Sequence, residues 1–339
     1  MALITFTDRG MFCAAAGVYI DPWRPVDRAI VTHAHSDHAR SGMGHYLCHE
    51  HSVLLLRHRL GADINVEGVR YGEERIINGV RISLHPAGHV IGSAQVRVEH
   101  KGEVWVVSGD YKTEHDGLTP AFEPVRCNTF ITECTFGLPV YTWEPQRRIF
   151  DAINAWWRTN AAEGVASVIS AYSLGKAQRV MANVDASIGP ILTHGAVEGC
   201  NAAIRASGIA LPETTQLTAT TDRSLISRAL VIAPGSAVDT PWANKLRPYS
   251  SGIASGWMRI RGWRRRSAVD RGFALSDHAD WPALNAAVKA TGAERVIATH
   301  GYTDLFARWL AEQGLDAHTE RTAFKGEVVP VANAEEDPS

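Results

Sequence analysis

The chain has 339 residues, enough for about two domains at the usual ~150 residues each and for a sizeable buried core. With 45% hydrophobic and 21% charged residues, 29 glycines and 15 prolines, it sits near the globular average, which excludes collagenous, coiled-coil and wholly disordered classes. The 34 basic and 36 acidic residues leave a formal charge of −2, so attraction to nucleic acid must come from a local basic patch rather than from the overall balance.

The first segment, MALITFTDRGMFCAAAG, carries Asp8 and Arg9 and has no apolar core of signal-peptide length. No stretch approaches the roughly 18 uncharged apolar residues of a membrane span. Cys13, Cys48, Cys127, Cys134 and Cys200 form no CxxC pair and fit reduced thiols. A cytoplasmic location is expected.

Up to about residue 140 the texture is short strands and turns. The apolar run Ala29–Val31 leads into THAHSDH, Thr32 to His38. Three imidazoles and a carboxylate at a strand exit can face one centre, and zinc accepts that ligand mix. A helix is expected at His51 to Leu60 and a turn at Asn78-Gly79. His89 lies in PAGHVIGSA, where Gly88 and Gly92 are expected to let backbone approach a metal or substrate. QVRVEHKGEVWVV alternates on both sides of Lys101-Gly102 and reads as a hairpin, Gln95 to Val107. Asp110 follows that strand pair, and Glu133 ends another in FITECTFG.

From Glu144 the period changes. A helix to Gly164 is followed by strand Val165–Tyr172, helix Lys176–Val184, strand Ile191–Gly195, helix Glu198–Ala206 and strand Ala229–Gly235. This alternation predicts a parallel α/β domain. Ser173-Leu174-Gly175-Lys176 could cap the helix it precedes and offer N–H groups to a phosphate. His194, in a second THG, reads as structural or as part of a substrate loop. Arg259, Arg261, Arg264, Arg265, Arg266 and Arg271 cluster with Trp257 and Trp263 between them, which suits phosphate tracking with base stacking. A helix Asp280–Ala290, a strand Arg295–His300, a helix Tyr302–Gln313 and a disordered tail at 331–339 complete the chain.

The ordered set Asp21, HxHxDH, His89, Asp110 and His300 resembles the metallo-β-lactamase fold. Glu133, a long α/β insertion, His278 in LSDHAD and His300 resemble motifs A, B and C of the β-CASP nucleases, and among these the compact chain is most similar to bacterial ligase-associated DNA exonucleases. The resemblance implies an αββα sandwich formed by 1–141 and 272–330, with a β-CASP insertion at 142–271. It implies two Zn²⁺ ions, with Mn²⁺ as the alternative metal. His33, His35, His89 and Asp110 would hold one; Asp37, His38, His300 and the shared Asp110 would hold the other. Asp21 would orient the HxHxDH loop.

In this reading His278 is the general acid, positioned by Glu133, and Asp37 belongs to the catalytic group. Ser173, Lys176, Arg259, Arg261, Arg264, Arg265 and Arg266 would touch nucleic acid. The implied activity is 5′ to 3′ digestion of single-stranded DNA in repair, in association with a DNA ligase and helicase and without a membrane. The alternatives are an RNA exo- or endonuclease, a non-catalytic nucleic-acid scaffold and a small-ester hydrolase.

Overall fold

The computed structural model describes residues 2–238, 240–267 and 269–324. The expected tail at 331–339 lies outside the described residues. In chain order the elements are β1 (Thr5–Phe6), β2 (Met11–Cys13), β3 (Val18–Ile20), β4 (Arg28–Ile30), β5 (His45–His49), α1 (Val53–Leu60), β6 (Val66–Val69), β7 (Glu74–Ile77), β8 (Val80–Pro86), β9 (Ala94–His100), β10 (Glu103–Val107) and β11 (Thr129–Cys134). Then follow α2 (Gln146–Ala162), β12 (Ala166–Ser170), α3 (Lys176–Asn183), β13 (Ile191–Thr193), α4 (Gly195–Ala206), β14 (Thr215–Gln216), α5 (Arg223–Ile226), β15 (Leu230–Ala233), α6 (Gly235–Val238), β16 (Tyr249–Ala254), α7 (Arg261–Arg266) and β17 (Arg271–Phe273). The chain closes with α8 (Trp281–Thr291), β18 (Arg295–Gly301), α9 (Thr303–Glu312) and β19 (Asp316–Thr319).

Two compact units result: 2–142 with 278–324, and 143–277. The return crossing lies at Asp277/His278, later than the expected 271, because β17 pairs in parallel with β16 and so stays with the second unit.

In the first unit β1 to β6 form one sheet in sequence order, and a seven-stranded sheet runs β19-β18-β11-β10-β9-β8-β7. Ile20, Ile30 and Leu47 from the first sheet and Ile82, Val96, Trp105 and Ile131 from the second fill the core between them. Phe130, Val296, Leu284 and Phe306 bury the other face of the second sheet under α8 and α9, while α1 packs against β6. This is the αββα sandwich. Both expected turns form, with Asn78 and Gly79 at φ 51 and 79 and Lys101 and Gly102 at φ 51 and 81, the left-handed pair that a two-residue hairpin requires.

The second unit is a six-stranded, all-parallel sheet ordered β14-β13-β15-β12-β16-β17. Its central strands β12, β13 and β15 are largely apolar because both faces are covered. Leu230 and Ile232 of β15 face one cluster, and Val231 and Ala233 the other. β16 is not evident in the sequence, since YSSGIA is rich in serine and glycine and lacks an apolar run.

Candidate metal centre

The strands β3 and β4 are parallel neighbours, with Ile20 opposite Ile30, so their carboxyl ends coincide and deliver Asp21 beside Thr32. Asp21 Oδ1 accepts the Thr32 N–H at 2.8 Å, and Oδ2 accepts the Thr32 hydroxyl at 2.6 Å. Oδ2 also meets His38 Nδ1 at 2.8 Å. Asp21 adopts φ 44, an uncommon conformation for a residue other than glycine, and these bonds hold it there. Thr32 Oγ1 lies 3.2 Å from His33 Nδ1, which leaves His33 Nε2 facing inward.

His89 sits in the loop after β8, its N–H donated to Ser93 Oγ at 3.1 Å. Gly88 and Gly92 do not serve approach to a metal or substrate. A Cβ at Gly88 would stand 2.3 Å from the Lys112 carbonyl oxygen, and one at Gly92 2.3 Å from Ser52 Oγ, so the glycines let this loop pack on its own unit. Asp110 follows β10. Glu133 ends β11, and His300 lies near the end of β18, the parallel neighbour of β11.

These side chains converge. His33 Nε2 and His89 Nε2 each lie 3.1 Å from His35 Nδ1. Asp110 Oδ2 is 3.4 Å from His38 Nε2, 3.7 Å from His33 Nε2 and 3.9 Å from His89 Nε2, while Oδ1 is 3.7 Å from His300 Nδ1. Asp37 Oδ2 is 3.6 Å from His38 Nε2. Three triads, His33–His35–His89, His33–His38–Asp110 and His89–Asp110–His278, each bring ligand atoms within 4.8 Å of one another. Glu133 accepts the Tyr111 N–H at 2.8 Å and lies 2.9 Å from His278 Nδ1 with both oxygens.

Burial, with the neighbouring imidazoles, holds His33 well below the ordinary histidine range. For His38 burial acts in the same direction, but Asp110, Asp37 and Asp21 outweigh it and its pKa lies well above that range. Burial raises the Asp110 carboxyl, and the attraction of His38, with the close approach of the His300 imidazole, overcomes it and holds the carboxyl well below its usual value. His38 Nε2 and Asp110 Oδ1 are nevertheless buried without a hydrogen-bond partner. A buried polar atom left unpaired is costly, and these two face the same centre as the imidazole nitrogens. Cations would satisfy them, so this donor set of nitrogen and carboxylate oxygen fits zinc or manganese.

The expected nucleic-acid contacts divide. Lys176 is buried, its Nζ 3.6 Å from Asp277 Oδ2 and 4.8 Å from the centre of the Tyr172 ring, so its charge is directed to Asp277. Ser173 does not cap α3. Gly175 is the N-cap, its N–H donated to Gln178 Oε1 at 2.6 Å, and the Ser173 carbonyl accepts from Gln178 Nε2 at 2.9 Å. Arg261, Arg265 and Arg266 are exposed on α7, Arg259 is half-buried, and the Arg264 side chain lies outside the described residues. Trp257 is a core residue and does not offer a stacking face, whereas Trp263 is half-buried with the Arg266 guanidinium 5.3 Å over its ring. His194 caps α4 by accepting the Ala196 N–H at 3.1 Å, a structural role.

Two contributors had no separate signal in the sequence. Thr32 joins Asp21 to the HxHxDH loop, and its place just before His33 is the one available clue. Arg59 of α1 donates to the Ala34 carbonyl and fastens the loop from outside.

No protein-family model matches the chain. A protein described as a probable DNA ligase from Opitutus terrae is 30% identical over 91% of this chain and 30% of its own length. Cleavage and polyadenylation specificity factor 73 of Drosophila melanogaster is 28% identical over 35% of this chain and 18% of its own. Endoribonuclease YSH1 of Saccharomyces cerevisiae is 30% identical over 35% of this chain and 15% of its own. The chain therefore spans under a third of the length of each of these relatives. A crystal structure of a protein of unknown function from Enterococcus faecalis matches with a TM-score of 0.58 at 11% identity, over 88% of this chain and 80% of that one, and shares the fold. Among the described residues no helix is long and apolar enough to cross a membrane. Together with the ordered site residues, these likenesses support the resemblance of the chain to the β-CASP proteins of the metallo-β-lactamase fold.

Proposed function

We propose that this chain is a metal-dependent phosphodiesterase acting on nucleic acid, and that its substrate is single-stranded DNA digested inward from the 5′ end during repair. The observation that carries this reading is the position of Asp110, within 3.4 to 3.9 Å of four imidazoles. His33, His35, His89 and Asp110 would hold one ion, and Asp37, His38, His300 and Asp110 a second. Ions in such a donor set supply Lewis acidity and neutralise charge on a phosphate.

His278 supplies what the metal ligands do not, a proton for the leaving 3′ oxygen. Its Nδ1 faces Glu133 at 2.9 Å, so Nδ1 carries a hydrogen and Nε2–H is the donor in the imidazolium. Glu133 holds that tautomer and orientation, as carboxylates do for catalytic histidines. The products are 5′-phosphate and 3′-hydroxyl ends.

The relative described as a DNA ligase matches nearly the whole chain, which supports DNA and an association with ligation, while the exposed arginines of α7 suit a polyanion. The endoribonuclease, matched over a third of the chain, favours RNA as the second reading. DNA and RNA strands of one sequence, labelled at either end and incubated with Mn²⁺ or Zn²⁺, decide between them. Early release of the 5′ label from DNA is expected. Faster cleavage of RNA would transfer the reading to RNA, early loss of the 3′ label would reverse the polarity, and no cleavage by metal-loaded protein would leave a binding scaffold.

A further inference from the structure

β11 is buried along its whole length, and up to Glu133 it pairs in regular parallel register with β18, Glu133 opposite Thr299. The next pair is Cys134 with Gly301, so His300 is an extra residue with no partner on β11. Such a bulge re-aims a side chain, here the imidazole that faces Asp110. The geometry is strained. His300 has φ 50, and Gly301 has φ 92 with room for no Cβ, which would stand 2.3 Å from the Cys134 carbonyl oxygen.

Cys134 brackets the bulge from both sides. Its carbonyl accepts the Tyr302 N–H at 3.1 Å, beyond His300. Its Sγ lies 3.1 Å from the His300 carbonyl oxygen and 3.5 Å from that of Thr299. The thiol is fully buried, and the two carbonyl oxygens in its reach can only accept, so the S–H is the donor. Successive side chains on a strand point to opposite faces, so Glu133 reaches His278 while Cys134 reaches the backbone of His300.

We propose that Cys134 is a positioning residue for His300, its S–H bond to the His300 carbonyl fixing the bulge that aims this imidazole at Asp110. The proposal rests on the reading of His300 as a metal ligand. Groups that orient a ligand typically contribute ten- to a hundredfold in metal affinity, and a thiol is a weak donor, so the lower end applies.

The test measures binding of Zn²⁺ and Co²⁺ to the full chain by competition with a chelator, with the Co²⁺ absorption spectrum as a second readout. Cys134→Ala should weaken one of two ions about tenfold, alter the spectrum of that ion and leave the other unchanged. Cys134→Ser, which restores a donor, should recover most of the affinity. Cys134→Val, which keeps the bulk without the donor, should behave as alanine does and replaces it if the alanine variant fails to fold. His300→Ala should lose the same ion. Unchanged affinity in folded Cys134→Ala or Cys134→Val, with that ion lost in His300→Ala, would overturn the role of Cys134 alone. Retention of both ions in His300→Ala would overturn the ligand assignment, and the proposal with it.

Discussion

Asp21 holds His38 by its Nδ1 at 2.8 Å, so the opposite nitrogen, Nε2, is the one presented to Asp110 at 3.4 Å. The carboxylate thereby fixes both ring orientation and tautomer, and the same carboxylate ties down Thr32 at the mouth of the HxHxDH loop. In Asp21→Asn an amide NH₂ can replace the oxygen that faces Nδ1. Nδ1 would then have to accept, the hydrogen would move to Nε2, and that nitrogen would no longer be a ligand. We expect the variant to fold and to bind metal about ten- to a hundredfold more weakly in chelator competition. Unaltered affinity would exclude the orienting role.

Asp110 stands between two groups of imidazoles, with Oδ2 toward His33, His38 and His89 and Oδ1 toward His300. Asp110→Ala should therefore deplete both ions, whereas His300→Ala should deplete one. Elemental analysis of the purified variants measures this directly. Full occupancy in Asp110→Ala would rule out a shared ligand.

His278→Ala should retain its metals and lose DNA cleavage by roughly 10² to 10⁴, the usual contribution of a positioned general acid. A nitrophenyl phosphodiester, whose leaving group needs no proton, should be spared. Glu133→Gln should show the same pattern more mildly. An equal loss on both substrates would refute proton donation by His278.

The legibility of this protein followed the range of the interactions. THAHSDH is local, and its three imidazoles and one carboxylate could be read as a centre from spacing alone. The two hairpins were equally legible, since Asn78-Gly79 and Lys101-Gly102 carry their backbone geometry in their residue types. Glu133 and His278 lie far apart in the chain, and the resemblance, not periodicity, brought them together. Lys176 shows the opposite case. A lysine at a helix start reads as a phosphate contact until its distant partner, Asp277, is seen. Trp257 is a similar case, because nothing local separates a buried ring from one offered to a base. The bulge at His300 was invisible, since its register shift depends on Cys134 of a different strand.

Gly301 and Gly314 have almost the same φ, 92 and 91, but different surroundings. A Cβ on Gly314 meets no atom within 4 Å, and one on Gly301 stands 2.3 Å from the Cys134 carbonyl oxygen. Gly314→Ala should cost about 1 kcal/mol, the conformational strain alone. Gly301→Ala should cost at least about 3 kcal/mol, because β18 must also move away from β11. Denaturant unfolding of the metal-free variants makes the comparison. Equal losses would mean that the strand pair yields freely at this point.

The exposed arginines offer the last test. Arg261 and Arg265 project from α7, while Arg266 lies over the Trp263 ring at 5.3 Å. A guanidinium resting on an aromatic face is already partly engaged, so the first two should contribute more to phosphate contact than the third. On single strands each lost phosphate contact lowers the slope of log K against log salt by about 0.7, so Arg261→Gln with Arg265→Gln should lower it by about 1.4. Arg266→Gln should lower it less, and it should free the Trp263 face for a base. Cleavage of a dinucleotide should be unchanged in all three, because none of them is among the residues gathered around Asp110. Binding to a long single strand, measured across a salt series, tests the assignment, and a slope identical to that of the parent chain would mark these arginines as a solvated face.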